Sequence, residues 1–155
     1  MLSTLNYRLS TNSMQISKKA DYALRAMALL AALPPDRTLQ AQELAEAGKI
    51  PIKFLEQILL VLKRGGFLRS KRGVGGGYRL GRESRLISVA EIIEAVDGEL
   101  LRFIEAKDYP AFPGATGILR CLGEAEAQTN GKLRETSLED LVRPDVGDSM
   151  VGYGI

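Results

Sequence analysis

The chain has no histidine, no tryptophan and one cysteine, Cys121, in 155 residues. Lack of histidine removes the commonest general base. A single cysteine excludes an intramolecular disulfide and fits a reducing, cytoplasmic compartment. With aromatics at 6%, leucine, isoleucine, valine and alanine must build the core. Long apolar runs are missing too. The most apolar early stretch, Ala23 to Leu33, is interrupted by Arg25 and is too short to cross a bilayer, so neither a membrane partner nor a signal peptide is expected. No internal repeat is visible.

What remains is ordinary for one globular domain: 45% hydrophobic and 26% charged residues. A chain of this length can bury roughly 68–70% of its unfolded surface. The net charge of +2 hides an asymmetry. Pro51 to Arg85 holds nine basic and two acidic residues, a net of +7, whereas Leu86 to Ile155 holds six and thirteen, a net of −7. Such polarity suits a chain of which one half meets a polyanion, or two solvated faces of opposite sign.

Apolar spacing predicts a helix from Lys18 to Leu33, capped by Ser17 and stopped by Pro34 and Pro35. A short helix fits Gln40 to Ala47, with Gly48 as its C-cap. A third fits Ile52 to Arg64: Leu55, Ile58, Leu59 and Leu62 repeat at three, four, three, and Gly65-Gly66 ends it. The period then shortens. Phe67 to Ser70 and Tyr78 to Leu80 read as two short strands around the glycine turn of "SKRGVGGGYRL". Ser88 and Glu91 form a capping box for a fourth helix closed by Asp97-Gly98. A loop with Pro110, Pro113 and Gly114 precedes a long helix from Gly117 to Leu133, and Thr136 with Glu139 reads as a second capping box before a last short helix ended by Pro144.

Helix, short helix, turn, helix and hairpin is the order of a winged helix-turn-helix. The expected fold is mainly α with a small β-hairpin, extended by a long C-terminal helix. The third helix would enter the major groove. Its first turn offers Lys53, Phe54, Glu56 and Gln57; glutamine can pair with adenine, glutamate can accept from cytosine, and lysine can reach guanine or phosphate. An ordinary amphipathic helix would look the same. The basic hairpin that follows favours DNA, because Lys71 and Arg72 precede glycines that let a backbone approach closely, and arginine can read a narrow minor groove. An enzyme fits poorly. A phosphate-binding loop of the Walker type needs Lys-Ser/Thr after its glycines, and a dinucleotide fingerprint needs a third glycine where Tyr78 stands, followed by a helix.

The stretches "MQISKKADYALRAMALLAAL", "IPIKFLEQILLVLKRGGFLRSKRGVGGGYRLGR" and "ISVAEIIEAVDG" resemble the bacterial Rrf2 family of winged-helix transcriptional regulators, over about Met14 to Pro144 and most specifically over Leu55 to Leu80. The resemblance implies a homodimer on a pseudo-palindrome of double-stranded DNA. By position it implies DNA contacts at Lys53, Phe54, Glu56 and Gln57, at Lys71 and Arg72, and at the wing tip Gly75, Gly76 and Gly77. It also implies them at Ser17, Lys18, Lys19 and Tyr22, where a helix N-terminus itself favours phosphate. The long helix would pair with its copy through Ile118, Leu119, Leu122, Ala125 and Leu133. Cluster-binding members carry three cysteines between the fourth helix and the dimer helix. Here Cys121 stands alone, so no iron–sulfur cluster, metal or other cofactor is expected. Cys121 reads as a buried small hydrophobe or as a redox sensor.

The expected organisation is a flexible arm over 1–13 (or an alternative start at Met14), a DNA-binding domain over 14–98, a loop and sensor region over 99–116, the dimer helix and short last helix over 117–144, and a flexible tail over 145–155. The expected function is sequence-specific transcriptional regulation, as a repressor, with a small-molecule or protein effector. The alternative is a protein-interaction module, working through its acidic half, with only non-specific DNA affinity.

Overall fold

A computed structural model describes residues 15–144. The expected arm over 1–13, the alternative start at Met14 and the tail over 145–155 lie outside the described residues. Helix α1 (Lys18–Ala31) is the hub, touching α2, α3, α4, α6 and β2. Its sequence suits that place. Ala20, Ala23 and Ala26 are fully buried and allow close approach, and Met27 and Leu30 fill the space between neighbours. Ser17 caps it as expected, its Oγ accepting the Ala20 N–H at 2.9 Å. The helix ends at Ala31, ahead of Pro34 and Pro35.

Helix α2 (Ala41–Gly48) begins where the Gln40 N–H donates to Glu43 Oε2 at 2.7 Å. The expected C-cap at Gly48 is corrected by one residue. Gly48 is the last helical residue, and Lys49 takes the left-handed conformation at φ 52°. A Cβ on Gly48 would stand 2.9 Å from Ile50 Cδ1, so the glycine clears room for Ile50 to enter the core. Helix α3 (Ile52–Arg64) has the bounds read from sequence. Its four apolar residues, Leu55, Ile58, Leu59 and Leu62, are all buried, each burial stabilising by about 1.5–3 kcal/mol.

Strands β1 (Leu68–Lys71) and β2 (Gly77–Leu80) pair antiparallel in the register Leu68↔Leu80, Arg69↔Arg79, Ser70↔Tyr78 and Lys71↔Gly77. Phe67, read as the first strand residue, instead closes α3: its N–H donates to Leu62 O at 3.0 Å. A third segment also joins the hairpin. Tyr78 N–H donates to Leu39 O at 2.7 Å, and Leu39 N–H donates back to Tyr78 O at 3.0 Å. A lone two-stranded hairpin is marginal in water, so this pairing with the α1–α2 linker gives the wing support that the strands alone lack.

After a 3-10 turn (Ser84–Leu86), α4 (Val89–Asp97) carries the expected capping box, Glu91 N–H to Ser88 Oγ at 3.1 Å and Ser88 N–H to Glu91 Oε2 at 2.9 Å. Gly98 closes it at φ 84°. Helix α5 (Ala115–Glu135) starts two residues earlier and ends two later than read. The last capping box is corrected by one position: Ser137 and Asp140 form it before α6 (Leu138–Val142). Thr136 is instead the C-cap of α5, its N–H donating to Lys132 O at 3.2 Å and its hydroxyl to the same oxygen at 2.8 Å. The α5–α6 turn is bound to the start of α4 by Val89 N–H to Thr136 O and Leu138 N–H to Ile87 O, both 2.9 Å. Leu138 is fully buried in the core of the winged domain. The architecture is the expected one, mainly helical with a small hairpin and a long C-terminal helix.

Candidate nucleic-acid interface

The apolar face of α3 fixes what its other face presents. Lys53, Gln57, Leu60 and Arg64 follow at i, i+4, i+7 and i+11 along the outside, and Phe54 and Glu56 flank them. All six are exposed, Phe54 by 59% and Leu60 by 48%. The first turn is braced from α1. The Tyr22 ring lies 6.4 Å from that of Phe54, and the Arg25 guanidinium sits 5.3 Å over Tyr22. Arg25 is itself held by Asp21 at 2.6 Å and Gly48 O at 3.1 Å. Sequence reasoning named Lys53, Phe54, Glu56 and Gln57 and missed Leu60 and Arg64, although their spacing from Lys53 was the available signal.

In the wing, Lys71 and Arg72 are exposed, and Val74, also missed, stands fully exposed at the tip. Gly75 sits at φ 73° with open space around it. The other two tip glycines answer to their own chain. Gly76 is buried, and a Cβ there would collide with the Lys71 and Gly73 carbonyls. At Gly77 a Cβ would stand 2.6 Å from Leu39 O. Both therefore have a role inside the wing as well: they let the turn close and Leu39 pair with Tyr78. Thr38 adds a further tie, its hydroxyl lying 3.1 Å from both Gly75 O and Gly76 O.

Lys18 and Lys19 are exposed and Tyr22 is half-buried. The Ser17 hydroxyl that caps the helix lies 2.8 Å from both carboxylate oxygens of Asp97. An anionic side chain thus already occupies the N-terminus expected to favour phosphate, and like charge opposes a second anion there.

Charge is distributed accordingly. Among the described residues Lys53, Lys63, Arg64, Arg69, Lys71, Arg72 and Arg79 form no ion pair, whereas in the acidic half Arg102, Arg134 and Arg143 are each paired with glutamate or aspartate. The positive charge on α3 and the wing is uncommitted, whereas three of the six cations of the acidic half are paired.

Helix α5 buries only Ala115 among its 21 residues. One side holds the preceding loop, with Phe103 N–H donating to Glu126 Oε2 and Asn130 Nδ2 to Leu101 O, both at 2.9 Å. Leu133 is half-buried against the core of its own domain, so its expected place at a dimer contact is shared with that packing. Leu119, Leu122 and Ala125 are half-buried and Ile118 is exposed. Cys121, read as a buried small hydrophobe, is exposed in the single chain, since it lies on the side of α5 that faces away from the core.

Residues 16–144 match the Rrf2 family, described as iron-dependent transcriptional regulators. The "Putative HTH-type transcriptional regulator Rv1287" of Mycobacterium tuberculosis is 36% identical over 130 residues, covering 83% of this chain and 81% of that protein. The HTH-type transcriptional regulator IscR of Xenorhabdus nematophila is 33% identical over 135 residues, 84% of this chain and 80% of that one. Among solved structures, CymR, the global cysteine regulator of B. subtilis, superposes with a TM-score of 0.73 at 27% identity, covering 83% of this chain and 95% of that chain. T. potens IscR gives 0.66 at 26%, covering 86% and 89%. The family and these relatives are transcriptional regulators, not enzymes. Iron does not fit the donors present. Iron–sulfur clusters are held by several thiolates, some replaced by histidine; this chain has one cysteine and no histidine, and among the described residues no three histidine, cysteine, aspartate or glutamate side chains gather as a metal site. No helix among the described residues is long and apolar enough to cross a membrane.

Proposed function

The chain belongs to the Rrf2 family of transcriptional regulators, and we propose that it is a homodimeric repressor that reads a pseudo-palindromic operator with α3 and the wing, without an iron–sulfur cluster. One observation carries the reading: the cations of α3 and the wing have no carboxylate partners among the described residues, and the first turn of α3 is exposed. Gln57 pairs with adenine, Glu56 accepts from cytosine and Lys53 reaches guanine or phosphate. Lys71 and Arg72 hold backbone or minor groove. Ser17, Lys18, Lys19 and Tyr22 are the weakest members of the set, since Asp97 shares their end of α1. A second copy covers Ile118, Leu119, Leu122 and Ala125, which gives the two-fold axis that a palindrome requires. The residues from 99 to 116 form the region that receives an effector, a small molecule or a protein.

The test is selection of duplexes from a random library by the purified chain, with its mass measured in solution. Enrichment of a palindrome with half-sites about 10–10.5 base pairs apart, together with twice the chain mass, supports the proposal. Binding with a steep salt dependence and no preference over random DNA overturns it, and leaves the protein-interaction module working through the acidic half.

A further inference from the structure

Two of the unpaired wing cations have no contact assigned to them in the reading above. Arg69 and Arg79 are direct partners across the two strands. Residues so paired have Cβ atoms about 4.5–5.5 Å apart, and like charges there are destabilising. Neither forms an ion pair among the described residues, and both are exposed. Together with Arg37, from the turn after α1, they line a cleft of about 480 Å³ walled by Leu33, Pro34 and Pro35. Arg37 is also exposed and unpaired among the described residues. The other charges on the cleft are Arg82, Glu83 and Asp36. Arg82 is held by Gly65 O at 2.9 Å and lies near Glu91 at 3.7 Å, and Glu83 is taken by Arg85 at 2.6 Å. Three uncommitted guanidiniums therefore face one carboxylate, Asp36.

We propose that this cleft is an anion site that takes a phosphate group, clamped between Arg69 and Arg79 with Arg37 opposite. Guanidinium forks match phosphate oxygens two at a time, and a phosphate turns the repulsion across the strands into attraction. Its source is either the DNA backbone beyond the operator, which rests on the function proposed above, or a free phosphorylated ligand, which does not.

The experiment compares the full chain with the Arg69→Ala/Arg79→Ala and Arg37→Ala variants. In one arm, duplexes selected by the wild-type protein are extended by several base pairs on each side. In the other, without DNA, inorganic phosphate and ADP are added during thermal melting. If the phosphate comes from DNA, extension strengthens binding by wild type but not by the double variant, whose salt slope is shallower by about two. If it is free, phosphate or ADP raises the melting temperature of wild type and not of the variants. Without additives the double variant melts no lower than wild type, because it loses a repulsion. Wild type and variants alike in both arms overturn the site. A library selection that enriches nothing overturns the operator reading, while the phosphate arm still reads the cleft.

Discussion

Replacing Gly77 with alanine should detach the wing from the α1–α2 linker, and Gly73→Ala should not. At Gly77 the new Cβ meets Leu39 O at 2.6 Å, Leu39 C at 2.8 Å and Gln40 N at 3.1 Å, all backbone atoms that cannot rotate away. The backbone there also stands at φ 142°, a conformation that costs a side chain about 1–3 kcal/mol. Relief requires Leu39 to withdraw, which breaks both of its hydrogen bonds to Tyr78, worth about 0.5–1.5 kcal/mol each. The expected loss is about 2–6 kcal/mol, and at about 2–4 °C per kcal/mol for a domain near this size a loss of about 4 kcal/mol lowers the melting temperature by about 12 °C. At Gly73 nothing lies within 4 Å, so only its φ of 94° counts, about 1–2 kcal/mol. Thermal melting of both variants beside wild type is the assay, with affinity for a selected duplex as the second readout. Affinity should fall with Gly77→Ala and change little with Gly73→Ala. Two variants melting within about 2 °C of each other would refute the claim that Gly77 exists to admit Leu39.

Leu138→Ala should cost about 2–5 kcal/mol in denaturant unfolding, since Leu138 is fully buried; a surface-like loss under about 0.5 kcal/mol would remove α6 from the core. Hydrogen bonds from the Ser137 backbone, then from its side chain, hold the Asp140 carboxyl below its ordinary value of 3.8. A depressed folded value stabilises above the ordinary one and is lost as pH falls through the folded value, so Asp140→Asn should melt lower than wild type at neutral pH and the gap should close below pH 3.8. A gap constant down to strong acid would sink that assignment. Exposed Phe54 should take a thymine methyl in the groove. Deoxyuridine at one operator thymine should therefore weaken wild type but not Phe54→Ala, and equal losses in both would exclude the contact.

Sequence reasoning located what depends on neighbours in the chain. The bounds of α3 follow from four apolar residues at helical spacing and a Gly-Gly stop, and the Ser88 box follows from two residues three apart. It failed where distant segments decide. Asp97 reaches the N-terminus of α1 from 80 residues away, and no local pattern places a carboxylate there. Leu39 joins the wing because the α1–α2 linker passes beside it, a contact that also sets the requirement at Gly77. The facing pair Arg69 and Arg79 depends on the length of the turn between the strands. Thr136 and Ser137 can both cap a helix, and the residue at which α5 ends decides between them: α5 runs to Glu135, so Thr136 closes it and Ser137 starts α6. Cys121 reads as apolar company for Leu119 and Leu122, yet falls on the side of α5 that the chain leaves uncovered.

The two hydrogen bonds from Val89 and Leu138 that fasten the α5–α6 turn to the start of α4 make α5 a lever with a fixed pivot. A helix of 21 residues is about 31 Å long. Were it to tilt about its Glu135 end, it would move least beside that turn and most at Ala115, where the loop over 99–114 delivers the chain. A tilt of roughly 5° displaces that far end by about 3 Å, over half a helical turn. A load applied at Ala115 would act with the full length of the arm, and one applied at Glu126 or Asn130, which hold Phe103 and Leu101, with less than half of it.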